Sequence, residues 1–237
     1  MFTLFFVSPE ELLQDVVELS GPQAHHAISV LRVEKEEVIR LGDGLGNWGE
    51  GAIKALKKNS LTVEVLHRGV DSQPKVEVVV AQAILKGDNQ KAALDQLVQA
   101  GADVIIPWRA QRSIGTIDKS DKWREVITMA ARQSRRSRLA KLETVVELEQ
   151  LLASRSSYDK VIALHESATE RLSEIPEFAL LKKVLLIVGP EGGLSNDEIE
   201  KIRGASIEPV KMGEPVIRAD LAGALALAAL NALTGTW

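Results

Sequence analysis

Residues 185–198 read Leu-Leu-Ile-Val-Gly-Pro-Glu-Gly-Gly-Leu-Ser-Asn-Asp-Glu, and they decide the fold. Leu185 to Val188 is an apolar run of strand length, and Gly189-Pro190 ends it. Ser195 and Glu198 stand in S-x-x-E spacing, a capping box that satisfies the free amides at a helix start. A buried strand that turns through a glycine-rich loop into a helix is a unit of an α/β sheet. Such sheets bind ligands at the carboxyl ends of their strands. The glycines keep side chains out of the turn, so backbone amides and carbonyls can approach a flat ligand. A simple strand-to-helix turn needs one glycine. It needs neither three nor an embedded acid such as Glu191. No GK[ST] follows, which excludes a nucleoside-triphosphate loop.

The same alternation extends to both sides of this stretch. Strands are expected at Val76–Ile84, Val104–Pro107, Lys160–Leu164, Val184–Val188 and Ile207–Lys211. Helices are expected at Asn89–Ala100, Lys119–Arg135, Asn196–Arg203 and Ala219–Leu233. Strands alternating with helices predict a mainly parallel sheet covered on both faces. The last helix is apolar nearly all round, so it should be buried on more than one face, either in a dimer seam or within one subunit. The first 70 residues have a different rhythm. Val38–Leu41, Gly51–Leu56 and Leu61–Leu66 are short strand-like runs with one helix near Pro22–Leu31, the pattern of a small β-barrel. Polar Gly69–Lys75 (GVDSQPK) breaks both periodicities. The chain therefore reads as an N-terminal barrel domain, 1–71, followed by an α/β domain, 72–237.

Composition narrows the chemistry. A chain of 237 residues suits two domains, and its lack of cysteine excludes disulfides, Cys-ligated zinc and iron–sulfur clusters. Four scattered histidines have no ligand spacing, so no metal is expected. Met1–Val7 is apolar but has no basic flank, and Leu221–Leu230 is too short to span a bilayer. A cytoplasmic protein without membrane contact is the expectation. Gly44, Gly46 and Gly49 match a dinucleotide-binding GxGxxG, but Gly49-Glu50-Gly51 leads into another strand where that motif must open a helix. A hairpin turn that uses glycine's positive φ is the better reading.

The net charge of −4 is not that of a nucleic-acid binder, but affinity for phosphate depends on where the basic residues sit. Arg132, Arg135, Arg136, Arg138 and Lys141 fall within ten residues with no acid among them. The first three share a helical face by i, i+3, i+4 spacing, and Ser134 and Ser137 are short donors suited to phosphate. A merely solvated face would mix signs, so this segment is expected to contact RNA. Arg32 and Arg40 in the barrel, Arg109 and Arg112 after the second α/β strand, and Lys86 after the first can extend the track.

Several of these segments together resemble the RsmE family, the 16S ribosomal RNA uridine-N3 methyltransferases. GPEGGLS (189–195) resembles its signature. His26–Gly44 is similar to its H-x-x-x-V-L-R…D-G stretch, Ala83–Gly101 to its first helix, Ala131–Arg138 to its basic segment, and Met212–Ala222 to its final loop and helix. Within the last of these, Ala219-Asp220-Leu221 follows Arg218 where the family usually carries Thr or Ser. The resemblance covers nearly the whole chain. It implies a PUA-like RNA-binding barrel, a SPOUT domain with a deep trefoil knot, S-adenosyl-L-methionine (SAM) as methyl donor, and a homodimer formed through the C-terminal domain. The partner would be 16S rRNA or the small ribosomal subunit. The implied cofactor loops hold Leu164 and His165; Gly189, Pro190, Gly192 and Gly193; and Met212, Gly213, Val216 and Ile217. Each follows an apolar strand, so all three loops can meet at one sheet edge, with backbone groups to bond adenine and apolar side chains to sandwich it.

Methylation at uracil N3 requires loss of an imide proton, and the resulting charge spreads onto O2 and O4. Arg218 is the main catalytic candidate, because a fixed guanidinium stabilises that charge. A salt bridge with Asp220 is the alternative reading for this side chain. Glu191 is either proton acceptor or orienting group, and glycine amides beside it would lower its pKa and favour the second role. Other knotted RNA methyltransferases, acting on a 2′-hydroxyl or guanine N1, and a non-catalytic RNA-binding assembly factor remain alternatives.

Overall fold

A computed structural model describes residues 3–115, 120–175 and 180–237. The chain divides into two compact units, Met1–Gln73 with Ala131–Leu139, and Pro74–Ala130 with Ala140–Trp237.

The first unit contains β1 (Leu4–Phe6), α1 (Pro9–Leu12), β2 (Val16–Ser20), α2 (Gly21–His25), β3 (Val38–Gly42), β4 (Asn47–Leu56) and β5 (Ser60–Val70). The sheet order is β1-β3-β4-β5-β2, with β1 and β3 parallel and the other pairs antiparallel. All five strands send side chains into one core, among them Phe5, Val17, Ile39, Ile53 and Leu61, and two register shifts bend β4. The helix expected at 22–31 begins as α2 and continues as a π-helical turn, His26–Leu31, that stops at left-handed Arg32 (φ 56°). β4 begins four residues before the expected strand, because Gly49 and Gly51 lie inside it. A Cβ at Gly51 would collide with the Glu64 backbone of the neighbouring strand. Gly44 (φ 78°) and Gly46 (φ 106°) make the turn before β4, and no helix follows. β1 and β2 were not anticipated. The first has three residues, and the second exposes Val16 beside Glu18, which hides its inner face.

The second unit runs β6 (Glu77–Ala83), α3 (Asp88–Ala100), β7 (Val104–Arg109), α4 (Ser120–Ser134), β8 (Lys141–Leu142), β9 (Val146–Glu147), α5 (Leu148–Ala153), β10 (Lys160–Ala163), β11 (Glu170–Arg171), β12 (Lys183–Val188), α6 (Asn196–Gly204), β13 (Val210–Lys211) and α7 (Ala219–Leu233). The last residues of α4 belong to the first unit. The main sheet is parallel throughout, in the order β10-β12-β6-β7-β8, with β9 also on β7. Alternate residues choose the face. Val79, Ala81, Leu185 and Ile187 pack with α5 and α6, while Gln82 and Val188 face Gly223 of α7. A side chain in place of Gly223 would also press on Leu97 of α3, so this glycine sets how closely α7 lies on the sheet.

Most boundaries fall within one or two residues of expectation, and two differences bear on the site and the basic segment. The strand expected at 207–211 is confined to Val210–Lys211, and Ser206, just before the expected start, takes a left-handed φ of 62°. This strand pairs with β11 and bridges to Leu164. α4 ends at Ser134, one residue early, and Lys119 lies outside the described residues.

Candidate active site

Three parallel neighbours, β10, β12 and β6, end side by side. The loops that leave β10 and β12 line a cavity of about 420 Å³ with the segment after β13, and Asn89, in the first turn of α3 after β6, joins them. β12 enters the sheet between strands far away in sequence, and such a reversal of winding opens a crevice at the carboxyl edge. The cavity brings together all ten residues expected to hold the cofactor: Leu164 and His165, then Gly189, Pro190, Gly192 and Gly193, then Met212, Gly213, Val216 and Ile217. Arg218 and Glu191 line it too.

The glycine loop is fixed by side chains from β7 and the turn after it. Trp108, fully buried, donates its indole N–H to the Val188 carbonyl (3.0 Å). Arg112 donates Nη1 to the carbonyls of Gly192 (2.8 Å) and Leu194 (3.3 Å). Ser195 and Glu198 form the expected capping box, and the other Glu198 oxygen accepts the Gln111 amide (2.8 Å). Gly193 has φ 68°, where any other residue would be strained. Trp108 carries no expected role, and Arg112 is expected on the RNA track. No local motif marks either residue, because their partners lie about eighty positions away.

Glu191 reaches the start of α3. Its Oε1 accepts the Lys86 amide (3.1 Å) and Asn89 Nδ2 (2.9 Å). Partial burial works against the charged form, but the hydrogen bonds from Asn89 and from backbone, with the nearby Lys86 charge, outweigh it and hold the pKa below the usual carboxylate range. Such a carboxylate is a poor base, and the geometry favours the orienting role. Asn89 was not anticipated as a site residue.

Arg218 caps α7. Its carbonyl accepts the amides of Leu221 (3.0 Å) and Ala222 (2.8 Å). Its guanidinium meets Asp220 in a two-pronged ion pair, Nε to Oδ1 at 3.1 Å and Nη2 to Oδ2 at 2.8 Å. The two partners differ in exposure, with the Arg218 side chain 74% exposed and that of Asp220 9%. The salt bridge and the cavity position therefore occur together.

His165 Nδ1 accepts the Ser167 amide (3.2 Å), which leaves the neutral ring's proton on Nε2, and its own amide donates to Val210 (2.9 Å). The cavity suits a compact ligand with a flat apolar part and a positive centre. Leu164, Val188, Met212 and Ile217 supply apolar surface, the glycines leave backbone accessible, and Glu166 and Glu191 supply negative charge, while Asp220 is balanced by Arg218. Among the described residues no His, Cys, Asp or Glu group could hold a metal ion.

The basic segment clusters with the first unit. The expected shared face of Arg132, Arg135 and Arg136 does not form, since α4 stops between them. Arg135 is left-handed (φ 58°), its amide bonds to Arg132 O (3.1 Å), and the Arg136 amide bonds to Ala131 O (2.9 Å). This is a Schellman stop with Arg where Gly is usual. Arg132 is half-buried and donates to Gln23 Oε1 (2.8 Å), and burial lowers its pKa. Gln23 in turn bridges the Phe6 backbone. Arg138 lies over Gly46, while its backbone bridges Gly44 and Leu45. Arg40 is held by Glu50 and by the Trp48 ring, 4.3 Å from its centroid. Arg135 and Arg32 are exposed, as are Lys86 and Arg109 of the second unit, the last with Glu147 at 3.7 Å.

A family model of the RNA methyltransferase domain matches residues 72–231, and one of the RNA methyltransferase PUA domain matches 19–66. The chain is 33% identical to ribosomal RNA small subunit methyltransferase E of Mycobacterium bovis, over 99% of this chain and 93% of that protein. It is 24% identical to the protein of that name from Bacillus subtilis, over 90% and 88%. Among solved structures it resembles the ribosomal RNA small subunit methyltransferase E of Neisseria gonorrhoeae bound to S-adenosyl methionine, with TM-score 0.87, 26% identity and 98% of both chains covered.

Proposed function

Because the chain belongs to the RNA methyltransferase family that includes ribosomal RNA small subunit methyltransferase E, we propose that it methylates N3 of a uridine in 16S rRNA of the small subunit, with SAM as donor. One observation carries this reading. Three loops distant in sequence line one cavity at a parallel sheet edge, and Arg218 stands among them.

When bound, the cofactor would supply an electrophilic methyl group. The chain's residues do the rest. Leu164, Met212, Val216 and Ile217 would enclose the adenine, with backbone of the 189–193 loop bonding its edge. Arg218 would stabilise the charge that develops on the uracil oxygens. Glu191, already ionised and tied to Asn89, would orient the substrate side. Arg32, Arg132, Arg135, Arg136, Arg138, Lys86 and Arg109 would supply phosphate contacts, with Arg132 acting mainly through the framework it shares with Gln23.

The finer architecture belongs to the same proposal, including a division at residues 71 and 72. The segment from β10 to α7 is read as a deep trefoil knot. In support, β12 enters between β6 and β10, and β13 returns to Leu164 before α7 packs on the sheet. The homodimer would use the apolar stripe Leu221, Leu225 and Leu233 on α7, all partly exposed in one chain. A cytoplasmic site follows from an rRNA substrate, and no helix of the described residues is long and apolar enough to cross a membrane.

The test is methyl transfer from labelled SAM to free 16S rRNA and to small subunits, followed by nucleoside analysis. 3-Methyluridine is expected. A 2′-O-methyl nucleoside or 1-methylguanosine would replace the assigned acceptor atom, and no incorporation into either substrate would defeat the enzymatic reading. A second measurement probes the loop. Arg112→Ala removes two hydrogen bonds to loop carbonyls and should weaken SAM binding about 3- to 10-fold, since losing this exposed charged contact as a whole costs on the order of 1 kcal/mol. Calorimetry reads this directly, and unchanged affinity would free the loop from Arg112.

A further inference from the structure

We propose that Asp220 is a positioning residue for methyl transfer, which it serves by fixing the orientation of the Arg218 guanidinium. The inference rests on the function proposed above and adds a residue to it.

The geometry is specific. An arginine carries five N–H donors in a planar fork. Asp220 takes one from Nε and one from Nη2. Three donors remain, two on Nη1 and one on Nη2, and no described residue accepts from Nη1. Arg218 is three-quarters exposed, so nothing packed around it would hold the fork in one plane. Its partner is the reverse. Asp220 is buried in the first turn of α7, where the helix amides favour a carboxylate. The rigid member of the pair thus orients the mobile one. Both line the cavity. With Nε and Nη2 tied back to the helix, the Nη1 edge is the one presented to a bound base. The carboxylate lies behind the guanidinium, farther from a developing oxyanion on that edge, so the net attraction survives the pairing.

Asp220→Ala and Asp220→Asn should be compared with wild type and with Arg218→Ala, alone and combined, for turnover on rRNA and for SAM affinity. The alanine variant should lose about 10- to 100-fold in turnover and change SAM affinity less than about threefold. Asparagine keeps the shape and an acceptor for one arginine donor, and should recover part of the loss. In an Arg218→Ala background the Asp220→Ala change should cost nothing further in turnover, because its effect runs through the missing guanidinium. Additive losses would overturn the proposal, as would full turnover in Asp220→Ala. Circular dichroism of the isosteric asparagine variant guards against a folding defect. A wild-type protein that binds SAM and methylates no RNA would instead defeat the underlying function, a result visible before any variant is made.

Discussion

Arg218→Ala is expected to lower turnover about 10²- to 10³-fold, the usual loss when one preorganised donor to a developing oxyanion is removed, and to leave SAM affinity nearly unchanged. Arg218 lines the cavity together with the three loops proposed to hold SAM, and it is fixed at both ends, its carbonyl capping α7 and its guanidinium gripping Asp220. A group held this way pays little reorganisation when charge appears beside it. The substitution also has a structural cost, since the nearly buried Asp220 carboxylate loses its partner, and a loss of about 1–3 kcal/mol of stability follows. Arg218→Lys separates the two effects. It keeps the charge and the fold but cannot reproduce a planar two-pronged contact, so it should melt close to wild type and still turn over slowly. A lysine variant with normal turnover would reduce Arg218 to a simple charge. Equal losses in turnover and SAM affinity would make it a cofactor ligand.

Arg135→Ala with Arg136→Ala is expected to weaken RNA binding roughly tenfold near physiological salt, and to reduce the slope of log K against log salt by about 1–2, close to one unit per lost phosphate contact. Binding isotherms at several salt concentrations check this, and an unchanged slope would remove the segment from the RNA interface. The left-handed φ of Arg135 supplies a companion test. At that stop glycine is the unstrained residue, and a non-glycine side chain costs on the order of 1 kcal/mol. Arg135→Gly should therefore raise the melting temperature while it weakens RNA binding. Opposite signs from one substitution cannot come from misfolding.

The legible parts of this protein are those in which a local pattern has a local cause. The S-x-x-E box at Ser195 forms as spaced, because N-cap and N3 positions are always neighbours in a helix. Gly44 and Gly46 turn the chain where positive φ was expected. The first two expected loops were legible because β10 and β12 are neighbouring parallel strands, which present their carboxyl ends on one side, whereas the third follows β13, which lies outside the main sheet and joins that edge through its bridge to Leu164. The illegible parts depend on contacts across the fold. The helical pattern runs on to Arg135, yet the Schellman bonds of the Arg135 and Arg136 amides end α4 at Ser134. Arg112 read as a phosphate ligand because its partners, the carbonyls of Gly192 and Leu194, carry no mark in the sequence.

By itself, then, the sequence determined an α/β sheet preceded by a smaller β unit, a glycine-rich loop at residues 189–193, and a basic segment at 132–141, because apolar period, capping spacing and charge are properties of neighbouring residues. Tertiary structure alone decided which side chains that loop leans on, that Glu191 is anchored by Asn89, and that Asp220 aims Arg218. It also decided that Arg132 is tied to Gln23 in the first unit. Those contacts join residues brought together by strand order, and strand order is settled by the packing of whole faces that no short stretch of sequence records.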